Sequence, residues 1–341
     1  MHRTLPPPDV RRSAPEPRTG TAHRNAKTAR TDPGSGQRPE SRGPTVTGNA
    51  QIIDRALGRI VAGYVFPQRA VEIDRAIRAR LAAGEYDALD GTALCAAVTA
   101  HLQEVCPDKH LRLLWQEEAR STETEDDDAG RAAFLALLRE QNQGIRRVEQ
   151  LDGNIGCLDI RRIADAGEGA RAIGAAMELV AQTRALILDL RECRGGSPEG
   201  AAMWCSYFFP DDQVHLNDIY ERSTDSTRQF WTLSHLPAPR YLDRPVYVLT
   251  SATTFSGGED VAYTLQALGR AELVGETTRG GAHPTGRHPV TEHITVTVPT
   301  ARTTNAVTGT NWEGVGVRPD RAVAAGKALE MAHQEAIRRL S

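Results

Sequence analysis

Two short, uninterrupted apolar runs constrain this chain most. Residues 185–190 (ALILDL) and 245–250 (PVYVLT) are too short for core helices, and each gives way to a turn rich in Gly, Ser or Thr and then to a helix-like stretch. Each therefore reads as a buried strand. The neighbouring segments fit the same pattern. Residues 155–160 read as a strand after a Gly-Asn turn, 170–182 as a helix, and about 200–208 as a second helix. A helix from about 256 to 268, a strand at 271–274, a half-exposed strand at 293–298 (HITVTV) and a last helix over about 322–340 complete the series. Strands alternating with helices predict an α/β core.

The region before this core is helical. Ile52, Ile53, Ala56, Leu57, Ile60 and Val61 recur at three-to-four spacing, as on one helix face. A second helix fits 71–83 and stops at Gly84, and a third fits 91–105, ending before Pro107. Residues 1–48 differ in kind. They are rich in Pro, Arg, Ser, Thr and Gly and carry almost no large apolar groups, so they predict a disordered tail. The expected organisation is therefore a tail (1–48), a helical domain (49–107), a core (108–325) with an acidic loop at about 121–129, and a C-terminal helix (326–341). The acidic run TETEDDD reads as a solvated loop.

Composition excludes several classes. With 41 Lys and Arg against 44 Asp and Glu, the 341-residue chain lacks the basic surplus of a general nucleic-acid binder. It has no apolar run of about 18 residues to span a membrane. It also lacks the apolar stretch of a signal peptide, so a cytoplasmic location is expected. Its five cysteines are scattered and none lies in a C-x-x-C pair, which disfavours a disulfide scaffold or a zinc ribbon.

Candidate chemistry gathers at three places. Ser256 opens a helix with Gly257, Gly258 and Glu259, directly after a buried strand and a short turn. A hydroxyl there lies near the free N–H groups and positive dipole end of the helix, which suits a nucleophile beside an oxyanion site. Ser-x-x-Glu before an apolar helix is equally a capping box. The run 189–196 (DLRECRGG) leads from a strand into Gly195 and Gly196, whose backbone amides suit an oxyanion or merely a tight turn. His110, in CPDKHL, is the isolated histidine that could serve as a base. His283 lies in a Gly-rich loop, and His283, His288 and His293 recur at intervals of five, which matches no standard zinc-ligand pattern. Cys193 has no identifiable activator.

Together the segments VEQLDGNIGCLDI, DLRECRGGSPEGA, VYVLTSATTFSGGEDVAYTLQALGRAELVGETTRGGAHP and NWEGVGVRPD resemble the C-terminal processing (tail-specific) serine peptidases. The branch most like it contains the interphotoreceptor retinoid-binding protein and its bacterial relatives. The resemblance covers about residues 50–325. It implies a crotonase-like core of repeated ββα units behind an N-terminal helical domain, with no cofactor or metal. It gives Ser256 the role of nucleophile, and it gives Gly195 and Gly196 the oxyanion loop, with the Gly257 N–H as second donor. The processing proteases place a lysine base where Gly281 stands here, which rules out a Ser–Lys dyad at that position. Asp108-Lys109-His110 instead matches the Asp-x-His of the retinoid-binding-like branch, and Glu259 matches the acid of its serine motif.

A Ser–His–Glu arrangement is thus expected, with His110 as base and Glu259 either orienting it or capping its own helix. Peptides or unfolded chain ends are the expected substrates. A catalytically silent carrier of a hydrophobic ligand and an esterase are the alternatives. An unperturbed His110 would give activity rising with pH through about 6.5. Of the three lysines (Lys27, Lys109 and Lys327), Lys109 alone could rival it, and alternation along an extended segment would turn only one of the two toward Ser256.

Overall fold

The computed structural model describes residues 48–119, 128–211 and 213–341. The expected tail, but for its last residue, and most of the acidic loop lie outside the described residues. Residues 47–341 form one compact unit. In chain order the elements are α1 (Asn49–Gly63), α2 (Pro67–Ala82), α3 (Gly91–Val105), β1 (Arg112–Trp115) and α4 (Asp128–Glu140). Next come β2 (Ile145–Leu151), β3 (Ile155–Ile160), α5 (Ala166–Val180), β4 (Ala185–Asp189), α6 (Pro198–Ser206), β5 (His215–Glu221) and β6 (Ser226–Trp231). The chain ends with β7 (Val246–Thr250), α7 (Gly257–Ala267), β8 (Glu272–Gly275), β9 (Thr285–Pro289), β10 (Ile294–Pro299), β11 (Ala301–Asn305), β12 (Arg321–Ala322) and α8 (Ala325–Leu340).

The central sheet has the order β12-β8-β7-β4-β3-β2. All its pairings are parallel except β2 with β3. Every residue of β3, β4 and β7 is buried. Alternation along these strands divides their side chains between two layers. Leu186, Leu188, Val246 and Val248 join α5, α6 and α7 in the larger core. Ala185, Ile187, Tyr247 and Leu249 face the Ala328, Ala332 and Ala336 stripe of α8 on the other side. The continuous apolar runs thus exist because both faces are covered, and the α/β core expected from the sequence is the one observed.

The N-terminal helices close no core of their own. Ile52, Ile53, Ala56, Leu57 and Ile60 of α1 pack in one cluster with Leu94, Val98 and Leu102 of α3 and with Leu113, Ile294, Val296 and Val298 of β1 and β10. Val61, the sixth residue of the expected face, is 38% exposed. Strands β1, β10 and β9 form a separate antiparallel sheet, and β11, β5 and β6 a third. Through β10 the helical layer is tied to residues 283–299, which places His110 and His283 at one seam.

Candidate active site

The sequence SATTF between β7 and α7 fixes where Ser256 stands. Its hydroxyls bond the carbonyls that leave β4: Ser251 and Thr253 to Arg191 (2.5 and 2.8 Å) and Thr254 to Leu190 (2.8 Å). The Phe255 N–H donates to the Cys193 carbonyl at 3.0 Å. The turn before the serine is thereby sewn to the turn carrying Gly195 and Gly196. Ser256 has a positive φ (φ 54°, ψ −124°), a conformation in which a side chain is strained and which over-determined functional turns tolerate. A Cβ on Gly195 (φ +85°) would stand 2.6 Å from the Ser256 Cβ, and one on Gly257 would stand 3.0 Å from the Gly196 nitrogen. Only glycine allows the two turns to touch. The N–H groups of Gly196 and Gly257 take no acceptor among the described residues, so both are open to an oxyanion.

Glu259 is fully buried and accepts four hydrogen bonds. Its Oε1 takes the Thr278 hydroxyl (2.5 Å) and the Gly280 N–H (2.6 Å), and its Oε2 takes the N–H groups of Gly281 (2.9 Å) and Ser256 (2.8 Å). Burial raises its pKa, and the four donors oppose that rise. The carboxylate bonds no imidazole. It reaches back to the Ser256 N–H as a capping glutamate does, and the Ser256 side chain faces the Glu259 N–H to complete a capping box while bonding no other side chain among the described residues. Neither role expected from sequence describes it fully, because its main effect is to clamp residues 278–281 onto the serine turn.

His110 succeeds a turn rather than a strand, so the expected alternation with Lys109 does not apply. Both side chains line the same cavity, of about 850 Å³, together with Ser256, Gly195, Gly196, Gly257 and His283. The Lys109 ammonium donates to the Arg279 carbonyl. The His110 ring stacks on Phe255 at 4.4 Å, and its Nδ1 is buried without a partner. Desolvation pushes its pKa down to about 4, against the opposing charge of Asp108. The unperturbed value expected from sequence therefore does not hold. A Cβ on Gly281 would lie 2.8 Å from His110 Cε1 and 2.3 Å from the Phe255 ring, so imidazole and phenyl fill the space a longer side chain would enter.

No sequence signal marks Asp108 as the partner of two histidines. Its Oδ1 accepts the His110 N–H (3.0 Å), and its Oδ2 accepts His283 Nδ1–H (2.7 Å) and the Tyr64 hydroxyl (3.1 Å). Burial alone would lower the His283 pKa, but the Asp108 hydrogen bond and charge, with Glu313 at 3.5 Å, leave it raised. Glu313 is raised to about 7 by burial and then by Asp108. Ligand atoms of Asp108, His283 and Glu313 lie within 4.8 Å of one another, a cluster quite different from the His283, His288 and His293 series. The Asp108 and His283 atoms are already bonded to each other. Ser256 is hydrogen-bonded to neither imidazole, a separation common before substrate binds. Cys193 is buried and its thiol is pushed up to about 12 by desolvation, which leaves it inert.

A profile of peptidase family S41 matches residues 154–323, the stretch that carries Gly195, Gly196, Ser256, Glu259 and Glu313. Residues 154–323 are a peptidase family S41 domain. Over 95 residues the chain is 33% identical to the carboxy-terminal processing protease CtpB of Bacillus subtilis strain 168, a match covering 28% of this chain and 18% of that protein. Its fold is similar to that of a putative peptidase from Parabacteroides merdae (TM-score 0.57, 17% identity, 85% of this chain and 96% of the other). It is also similar to a lipoprotein from Streptococcus agalactiae (TM-score 0.56, 15% identity, 89% of this chain and all of the other). Among the described residues no helix is long and apolar enough to cross a membrane.

Proposed function

We propose that this chain, with its family S41 domain, is a serine peptidase in which Ser256 attacks the peptide carbonyl and His110 takes its proton. The observation that carries this reading is the strained Ser256 turn, pressed against Gly195 and Gly196, with a hydroxyl bonded to no other side chain and two N–H donors without an acceptor among the described residues. That arrangement serves a developing oxyanion and has no packing purpose that alanine or glycine would not meet better. His110 suits the base because desolvation keeps it neutral, and because it occupies the space beside Gly281 where the processing proteases put lysine. Asp108 holds its backbone N–H, and Glu259 positions the serine turn rather than the imidazole.

A second assignment of the base is favoured by one contact. The 2.7 Å bond from His283 Nδ1–H to Asp108 fixes a tautomer with Nε2 free, as the acid of a Ser–His–Asp triad does. Hydrolysis of a peptide library by His110→Ala and His283→Ala separates the two. Turnover should be lost in the first variant and persist at a residual level in the second. Retained turnover in His110→Ala transfers the role to His283. Failure of Ser256 to react with a fluorophosphonate would reject the enzyme reading.

A further inference from the structure

The walls of the catalytic cavity carry an excess of positive charge that the hydrolytic machinery does not use. Lys109, Arg112, Arg162, Arg194 and Arg287 all line it. Among the described residues the one carboxylate on its lining is Asp260, which is buried and occupied by Asn217 (2.7 Å) and Thr264 (3.2 Å). Asp108, Glu259 and Glu313 are not on that lining; Asp108 and Glu259 are committed to His283 and to backbone or hydroxyl donors, and Glu313 accepts the Ala282 N–H through Oε2, its Oε1 having no partner among the described residues. Among the described residues, Arg112, Arg162 and Arg287 form no ion pair, and Arg194 meets only the exposed Glu192, at 3.8 Å.

Two of these arginines are placed by sheet register. Arg112 of β1 is paired with Thr297 of β10, and Thr297 is paired with Arg287 of β9. The three form one cross-strand row, and all three line the cavity. Adjacent strands are about 4.8 Å apart, so the two arginine stems flank Thr297 at a separation of roughly 10 Å. The Thr297 hydroxyl donates to the His110 carbonyl (2.6 Å), which ties the row to the segment bearing the imidazole. Arg162 and Arg194 line the same cavity beside Gly195 and Gly196. The field of Arg287 acts on both Arg112 and Arg162, so the two groups face a common space. Arg112 and Arg162 are half-buried, feel the charge of the exposed Arg287 and have no ion-pair partner among the described residues, which costs free energy in the empty protein, and an anion placed among them recovers it.

We infer that this cavity selects peptides bearing carboxylates, held by the Arg112 and Arg287 row and by Arg162 and Arg194 next to Gly195 and Gly196. The inference rests on the peptidase reading for the cleavage step, but not for binding itself. The guanidinium fork matches a carboxylate bidentately, and burial strengthens each such pair. A basic peptide would set like charge against the same wall, so discrimination comes from repulsion as well as attraction.

The test measures binding by fluorescence anisotropy, with a neutral dye, to full-length Ser256→Ala protein. Probe peptides are a decapeptide rich in Asp and Glu, its Asn and Gln counterpart, and each of these with an amidated C-terminus. The acidic peptide should bind at least tenfold tighter than its neutral counterpart. The Arg112→Gln and Arg287→Gln variants, made singly and together, should remove most of that ratio, with the exposed Arg287 giving a readout even if Arg112→Gln folds poorly. Arg112→Lys should restore part of it. With the acidic preference in place, weaker binding of both peptides on amidation would show that the chain-end carboxylate enters the site as well, and unchanged binding would assign recognition to side-chain carboxylates alone, with either result supporting the site. Equal binding of acidic and neutral peptides, or a ratio unmoved by the arginine variants, overturns the proposal. Tight, arginine-dependent binding of an acidic peptide that the wild-type protein never cleaves would leave this inference standing and reject the peptidase reading instead.

Discussion

Glu259→Gln is the substitution with the most calculable effect. The side chain is fully buried and four donors converge on its two oxygens at 2.5–2.9 Å. An amide keeps the shape but offers one acceptor oxygen with two lone pairs, and its NH2 group must point at the other two donors. Two buried donors then lose their acceptor, at about 1–3 kcal/mol each, or roughly 2–6 kcal/mol in all. At about 2–4 °C per kcal/mol for a domain of this size, Tm should fall by roughly 4–24 °C. Whichever pair is lost, residues 278–281 loosen from the serine turn, so fluorophosphonate labelling of the folded variant should also slow. The assay is thermal and urea unfolding, together with labelling rate at a temperature well below Tm. Glu259→Gln with unchanged Tm and unchanged labelling would refute the clamp.

Other consequences are as direct. Ser256→Gly should abolish turnover yet stabilise the fold by about 1 kcal/mol, since relief of about 1–3 kcal/mol of strain outweighs the roughly 0.4–1 kcal/mol of added unfolded-chain entropy; a lower Tm in urea or thermal melts would show that φ 54° carries no strain. Gly195→Ala should cut kcat/KM at least a hundredfold, because its Cβ would fall 2.6 Å from that of Ser256 at a φ of +85°; wild-type kinetics would mean that the two turns need not touch. All five cysteines are buried, so alkylation of the native protein should modify none of them and leave turnover intact. Mass spectrometry after iodoacetamide treatment checks this, and modification of Cys193 with loss of turnover would revive the thiol as a nucleophile.

The parts of the site that depend on local pattern were legible in the sequence. Strands β4 and β7 announce themselves because both faces are covered, and each leads into the turn its residues predict. Ser256, Gly195 and Gly196 emerge from the strand–turn–helix pattern, and one cavity joins them to His110, 146 residues before Ser256 in the chain. Long-range hydrogen bonding was not legible. Capping logic finds the Glu259 bond to Ser256, three residues away, but not those to Thr278, Gly280 and Gly281. Asp108 and His283 are 175 residues apart, and nothing in either segment names the other. The hydroxyl-rich SATT stretch was the one local clue to the stitching of the two turns. The β5–β6 hairpin also lacks a clear pattern, because its strands are largely polar and only partly buried. Neither the depressed pKa of His110 nor the Arg112–Thr297–Arg287 row has a sequence signature, since both arise from which strands become neighbours.

An activated Ser256 with His110 as its base is the core of the proposed mechanism. The pH dependence of fluorophosphonate labelling, with the adduct mapped to Ser256 by mass spectrometry, tests nucleophile and base together. Burial pushes His110 down to about 4, so the imidazole stays neutral and able to accept a proton through the whole mildly acidic range. The labelling rate should hold from neutral pH downward and fall only as pH approaches about 4. His283 is displaced the other way, its Asp108 partner outweighing burial, and as base it would lose activity already as pH drops through and below neutrality. An adduct on Ser256 with an acid limb near 4 is the predicted result. An acid limb above 6.5, or no adduct on Ser256 at any pH, would contradict it.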